Sequence, residues 1–403
     1  MSRTAKSQFC LALLCFCISM AVCRADDNIG WRGDGSGLFP DAKPPMKFAG
    51  NIRWKTEVGS GMSSPIVVGD RVFITAEPDL LVCMHRDTGK LLWKKSTGFD
   101  DLPKGEKIKP EMPPTECGYA TPTPVSDGKR VAVVFGTGLV ACYDLEGKRL
   151  WIRHLRADRL LQYGRSSSPV IANGRFIVQV GCVQALDLQT GQPLWKADKA
   201  KEGYGSPLVT RIGGVPVLVT GSGDLVRVDD GKVLISGLGR CESATPISRG
   251  RVVYFIDAEA RAVELPEKLE DAIKVKELWK QDLLGDFYAS PIVHDRLIHA
   301  VNSKGLYFVL DAAMGKIVLE KDLNLPEPEK NARSANCYPS LTLAGTQLFL
   351  GGDGGGSLWL KPGRTYTEVG RNLLAEGSAG TPAFAGGLMF LRGGAHLQGF
   401  GEK

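Results

Sequence analysis

Residues 168–195, SPVIANGRFIVQVGCVQALDLQTGQPLW, decide how the whole chain is read. They open on Ser168-Pro169, run through a short apolar stretch, turn at Asn173-Gly174 and return through a second apolar stretch. A third run follows, then a turn at Thr190-Gly191 and a last run ending on Trp195. Asn-Gly supplies the positive φ of a two-residue hairpin turn, so the first two runs form a β-hairpin. Proline at the first strand position fits as well, because it has no N–H to offer an interior ladder.

The same grammar recurs along the chain. PIVVGDRVFIT begins at Pro65 and PAFAGGLMFLRG at Pro382. A Ser/Thr-Pro pair opens each unit: Ser64-Pro65, Thr121-Pro122, Ser168-Pro169, Ser206-Pro207, Thr245-Pro246, Ser290-Pro291 and Thr381-Pro382, with a degenerate Cys337-Tyr338-Pro339-Ser340 making eight. Pro65 and Pro382 span seven intervals averaging about 45 residues, the period of one four-stranded blade. The closing turn repeats too, with a large apolar residue four after its glycine: Gly89 and Trp93, Gly147 and Trp151, Gly191 and Trp195, Gly231 and Ile235, Gly315 and Leu319. Trp279 takes that place in the fifth unit. One bulky residue per unit, wedged between neighbours, accounts for the pattern. Helical spacing is absent, so an α-solenoid is excluded.

The eighth unit ends after HLQGF without a closing turn, while residues 51–58, NIRWKTEV, carry Trp54 in fourth-strand style before the first Ser-Pro. Pairing that strand into the last blade closes the ring and leaves no radial gap. The expected fold is therefore all-β: an eight-bladed β-propeller of four-stranded antiparallel blades over residues 51–403, the last blade closed by the N-terminal strand.

Ahead of it, Arg3 and Lys6 precede an uncharged run over residues 9–22 and the exit Cys23-Arg24-Ala25. This is the layout of a secretory signal peptide, so residues 1–25 are expected to be cleaved near Ala25, leaving residues 26–50 as a lead segment. At about 14 residues the run is short of a bilayer span, and no later segment replaces it, so no transmembrane segment is expected. Val22 is too bulky before Cys23 for a lipid-anchored cysteine, so anchoring there is not expected. Losing Arg3, Lys6 and Arg24 lowers the formal charge from +6 to +3, which gives no footing for nucleic-acid binding. Export places the product in the periplasm or outside the cell, with a monomer the expected state.

Six cysteines follow, at 83, 117, 142, 182, 241 and 337. Cys83 and Cys142 fall where the third unit has Ala185, a small buried strand position, and read as small hydrophobes rather than as a disulfide framework. Cys117, Cys241 and Cys337 precede innermost strands of non-neighbouring blades, too far apart for disulfides and without the short spacings of zinc ligands. No metal site is expected. Gly-rich residues 351–357, GGDGGGS, lack the Lys-Ser/Thr of a phosphate loop and read as a hairpin turn in blade 7. There is no GxSxG elbow, and of the five histidines only His294 and His299 are close, on adjacent strands of one hairpin.

Propellers bind at the funnel mouth, formed by the leads into the innermost strands. Tyr119, Tyr204 and Tyr288 lie three before the opening proline in blades 2, 4 and 6 and offer stacking faces and hydroxyls to a ligand. Glu116, Arg165, Glu202, Arg240, Glu242, Asp286 and Arg333 share these leads. The candidate ligand-binding set is Tyr119, Tyr204, Tyr288, Arg165, Arg240, Glu242 and Asp286, with no catalytic residue assigned. Residues 99–116 make the longest interval between openings, a place where partners attach.

With Ser/Thr-Pro openings, LDLQTGQPLW endings and a displaced first strand, the chain resembles the PQQ-like β-propeller repeat superfamily. Within it, the chain is similar to exported repeat proteins of the BamB type, named after an outer-membrane assembly lipoprotein. Trp31-Arg32-Gly33 with Asp34-Gly35-Ser36-Gly37 resembles their lead segment. The superfamily includes quinoprotein dehydrogenases, which hold pyrroloquinoline quinone (PQQ) and calcium in the funnel and seat the quinone against a disulfide between adjacent cysteines. No two cysteines are adjacent here, and no motif matches their calcium ligands or catalytic Asp, so no cofactor is expected. The expected function is a non-catalytic binding or scaffold propeller of the periplasm or cell envelope, with an envelope protein or a glycan as partner. Two alternatives stand beside it: a PQQ-dependent oxidoreductase with an atypical site, and a carbohydrate-active enzyme using funnel carboxylates.

Overall fold

A computed structural model describes residues 29–402 apart from 107, 109–111, 113–114, 158–160, 271 and 327–335. The signal peptide with its cleavage point near Ala25, Cys23, Arg333 and part of residues 99–116 lie outside the described residues. Blade 3 shows how the repeat folds: Val170–Ala172, Arg175–Val180, Cys182–Asp187 and Pro193–Lys201 pair antiparallel in that order from the axis outward. Ile177 faces Ala185, which faces Trp195. Seven further sheets repeat this order, their innermost strands beginning at Ile66, Val125, Leu208, Ile247, Ile292, Thr342 and Ala383. In blade 8 the outermost strand is Ile52–Glu57, antiparallel to His396–Phe400 with Trp54 opposite Gly399. The ring thus closes as its sequence indicates.

The hydroxyls that open the units form a closed circuit. The backbone N–H of Ser64 donates to Thr123 Oγ1 at 3.0 Å, Thr123 to Ser168 Oγ at 3.0 Å, Ser168 to Ser206 at 2.9 Å and Ser206 to Thr245 at 3.0 Å. Thr245 donates to Ser290 at 2.8 Å, and Ser290 to Ser340, Ser340 to Thr381 and Thr381 back to Ser64, each at 2.9 Å. All eight residues are buried. Each hydroxyl satisfies an amide that the axis-facing edge would otherwise leave without a partner. This circuit corrects the sequence register in two blades. The opening residue of blade 2 is Thr123, followed by Pro124, and not Thr121. In blade 7 it is Ser340, with Leu341 in the place of proline. The TPTP repeat of residues 121–124 offers two equal candidates, and only the ring chooses between them.

The core is divided among the eight seams between blades, each with its own apolar cluster. Five seams are locked by an indole. The Nε1 of Trp54, Trp93, Trp151, Trp195 and Trp279 donates to a carbonyl of the next blade, those of Arg86, Leu145, Leu188, Val228 and Ala312, at 2.9–3.1 Å. Withdrawing roughly 150–250 Å² of each indole from water is worth about 4–6 kcal/mol at about 25 cal/mol per Å². The turn glycine is what lets the ring in. Gly191 holds φ +69°, and a Cβ there would stand 2.5 Å from Trp151.

The lead segment does more than precede the propeller. Ile29 accepts from the amide of Ser126 in blade 2 at 2.7 Å, while Arg32 reaches Pro291 O in blade 6 at 2.7 Å. Leu38–Phe39 then adds to blade 7 as a fifth strand, parallel to Thr342–Ala344. The segment therefore crosses the axis near the far ends of the innermost strands. Phe39, Met46 and Phe48 continue into the seam between blades 7 and 8, against Trp359 and Phe384. Arg32 is 2% exposed and lies 5.2 Å from the Trp31 ring. Burial lowers its guanidinium pKa to about 9, opposed by Asp34.

Candidate functional site

The opposite end of the axis is formed by the leads into the blades, and the turns between second and third strands hold them in place. Glu77 in blade 1 accepts the amides of Tyr119 and Ala120 at 3.0 and 2.7 Å. Arg165 Nε meets Glu202 Oε1 at 2.6 Å, Arg165 Nη1 donates to Gly136 O at 2.6 Å, and Glu202 Oε2 accepts from Gly181 N at 2.7 Å. This cluster ties the leads of blades 3 and 4 to the turns of blades 2 and 3. With side chains 7% and 5% exposed, the pair is a structural clamp. Burial pushes the Glu202 carboxyl above its ordinary value, against the pull of Arg165 and the Gly181 amide. The Asp257 and Asp353 carboxylates likewise accept the amides of Glu242 and Asn336.

On this frame the tyrosines fall into two pairs. Tyr288 of blade 6 stacks on Tyr338 of blade 7, centroids 5.2 Å apart and planes 9° apart. Tyr204 of blade 4 lies 5.8 Å from Tyr163 of blade 3, and Ser166 Oγ donates to Tyr204 O at 3.0 Å. Tyr163 of one pair lies within electrostatic reach of Tyr288 of the other. The phenol of Tyr288 is raised by burial and then by Asp286, Tyr163 and Glu242, and that of Tyr338 by burial and then by Asp353, Tyr288 and Glu116. Leads of blades 2, 3, 5, 6 and 7 are thus within electrostatic reach of two stacked rings, and both phenols stay neutral across the physiological range. Tyr163 and Tyr338 remain 46% and 42% exposed, as open faces.

Of the candidate set, the structure brings Tyr204, Tyr288, Glu242 and Asp286 to this mouth. Arg240 and Glu242 are 3.8 Å apart at 78% and 67% side-chain exposure, a solvated pair. Arg165 is consumed by the Glu202 clamp. Tyr119 belongs to a different register, four before Thr123, where Tyr204 and Tyr288 lie two before their hydroxyl residues. Tyr163 and Tyr338 were missed. Tyr338 occupies the same place as Tyr204 and Tyr288, but a count made from prolines hides it because blade 7 has Leu341.

The six cysteines among the described residues are free, five of them buried. Burial raises the Cys83, Cys142 and Cys337 thiols to about 12. His294 and His299 do lie on adjacent strands of one hairpin. His299 is buried, with Nδ1 2.6 Å from the Tyr307 hydroxyl, and desolvation lowers its pKa to about 4. Among the described residues no group of three or more His, Cys, Asp or Glu is placed to hold a metal ion, and no helix is long and apolar enough to cross a membrane. Cys117, Cys241 and Cys337 sit singly in the leads of blades 2, 5 and 7. Two cavities lie elsewhere: about 540 Å³ between the lead segment and blade 8, and about 380 Å³ along the outer strand of blade 2.

The family model described as outer membrane protein assembly factor BamB matches residues 24–321. The chain is 26% identical over 271 residues to the outer membrane protein assembly factor BamB of Moranella endobia (strain PCIT), covering 64% of this chain and 63% of that relative, short of two thirds of its length. The crystal structure of BamB from Moraxella catarrhalis superposes with a TM-score of 0.61 at 12% identity, covering 87% of this chain and 98% of the other. A quinohemoprotein alcohol dehydrogenase from Pseudomonas putida HK5 superposes with a TM-score of 0.50 at 12% identity, over 94% and 80% of the two chains. These two superpositions speak to the fold alone.

Proposed function

The chain belongs to the outer membrane protein assembly factor BamB family, and from that premise we propose that it is a protein-binding scaffold of the cell envelope whose recognition face is the tyrosine mouth. The observation that carries this reading is the pairing of Tyr288 with Tyr338 and Tyr163 with Tyr204, two of the four strongly exposed, over an axis whose far end is crossed by the lead segment. Exposed aromatic clusters on rigid leads are what protein interfaces use as anchors, each ring giving a large contact area at low entropic cost. Glu116, Glu242, Asp286 and Asp353 around the rings favour a partner segment that presents a cation beside an apolar group. The working compartment is the periplasm, and no resident cofactor is assigned.

Pull-down from envelope extract tests the reading. Wild-type protein is expected to retain one or more discrete proteins that the Tyr288→Ala/Tyr338→Ala variant releases. Identical recovery with both forms would overturn it. The quinone alternative is checked on the same protein, where a thermal shift with PQQ and calcium would count against a cofactor-free scaffold.

A further inference from the structure

The outer rim of the propeller is electrically lopsided. The outermost strands of blades 8, 1, 2 and 3 are Ile52–Glu57, Leu91–Ser96, Arg149–His154 and Pro193–Lys201. Together they carry nine Lys or Arg against two Asp or Glu, a formal +7. Those of blades 4 to 7, Val233–Ile235, Lys276–Asp282, Ile317–Asp322 and Glu368–Leu373, carry four against five, a formal −1. Ile52, Leu91, Leu92, Leu150 and Leu194 stand at least 40% exposed on the basic half, against Val369 and Leu373 on the other. Charge on a sheet edge commonly guards it against aggregation. Yet all eight outer strands are edges of their sheets among the described residues, and guarding alone does not explain why the positive charge gathers on one half of the rim.

A groove lies in the middle of the basic half. The cavity of about 380 Å³ is lined by Pro103 and by Arg149, Leu150, Trp151, Ile152 and Arg153. Five consecutive residues of one strand can border a groove together only if it follows the backbone edge, since alternate side chains face opposite sides. Among the described residues that strand has one neighbour in its sheet, Leu139–Asp144. The Arg149–Asp101 pair, at 2.9 Å, fixes the turns around Phe99–Asp101 as a wall over one end. On the flanking blades Lys94, Lys95, Lys196, Lys199 and Lys201 are exposed and take no part in the salt bridges among the described residues.

We propose that the outer edge of blade 2, framed by the lysines of blades 1 and 3, docks an extended acidic segment of a partner polypeptide that adds to the blade as a fifth strand. Backbone pairing would supply the register, Leu150 an apolar contact, and the flanking lysines the preference for Asp and Glu. The surface is separate from the mouth, so a scaffold with both could hold two partners at once.

Fluorescence anisotropy with a labelled synthetic peptide of about ten alternating valine and glutamate residues tests this on the full-length mature protein. Binding with a dissociation constant on the order of 100 µM or tighter is expected, weakened at least about tenfold in Lys94→Glu/Lys95→Glu and in Leu150→Asp. These three residues are exposed, and unchanged melting confirms intact variants. The lysine counterpart of the peptide should not bind, N-methylation of alternate peptide amides should abolish binding, and the acidic peptide should slow amide exchange at residues 149–153. The proposal is overturned if the acidic peptide does not bind, if the N-methylated form binds equally well, or if the rim variants bind like wild type. Retention on anionic vesicles without peptide binding would equally sink it, by making the rim a lipid surface.

Discussion

The seams between blades and the mouth above them are built on opposite rules. A seam is buried and repeated, with the same Ser/Thr circuit at the axis and, in five cases, the same indole against the next blade's carbonyl. The mouth is exposed and unrepeated: Tyr163, Tyr204, Tyr288 and Tyr338 come from four blades, while the equivalent positions of blades 1, 2, 3, 5 and 8 hold Met62, Thr121, Ser166, Ser243 and Ala379. Seam residues answer to their neighbours, so changing one costs folding energy. Mouth residues answer to whatever binds, so changing one should cost recognition and almost nothing else.

Variants can sharpen or break this contrast, beginning in the seams. Trp151→Ala empties the wedge between blades 2 and 3 and should cost about 4–5 kcal/mol, read from the midpoint of chemical denaturation. Arg165→Met breaks the buried clamp and leaves the Glu202 carboxylate without its cation, at about 3–4 kcal/mol near neutral pH. That loss should shrink on acidification. With the folded pKa of Glu202 raised above the unfolded one, the folded state binds the proton first, so the penalty is present above the folded pKa and relieved as pH falls through it. A loss that stays flat as the pH is lowered through the acid range would contradict the assignment. Ser206→Ala removes the acceptor of the buried Ser168 amide and should cost about 1–3 kcal/mol. Tyr338→Ala should change stability by less than about 0.5 kcal/mol while reducing retention of envelope proteins. A mouth variant that unfolds the protein, or a seam variant that does not, would dissolve the distinction.

The contrast also explains what could be read from the sequence. The blades were legible because the seams repeat their requirements: a strand-opening hydroxyl in all eight, and in most of them a closing-turn glycine with positive φ and a bulky residue four later. The missing last strand could be found because Trp54 still carries its seam signature at the wrong end of the chain. Where the requirement is degenerate, reading slipped. Residues 121–124 contain two Thr-Pro pairs, and the choice depends on a hydrogen bond to Ser168 from another blade. The mouth suffered from that slip directly, since Tyr119 was grouped with Tyr204 and Tyr288 and Tyr338 was passed over. Arg165 looked like a mouth charge because its burial against Glu202 and Gly136 is a three-blade contact without local trace. The course of the lead segment across the axis and into the seam between blades 7 and 8 was equally invisible, for it rests on pairings such as Leu38 with Leu343, some 300 residues apart.

The central claim is that recognition sits at the mouth and not at the base crossed by the lead segment. Photo-crosslinking measures this most directly, with a photoreactive phenylalanine analogue placed at position 338 or, separately, at exposed Asp41 on the base. Irradiation in envelope extract should give a discrete protein adduct from position 338 and none from position 41. Adducts from position 41 alone, or the same adducts from both, would contradict the account.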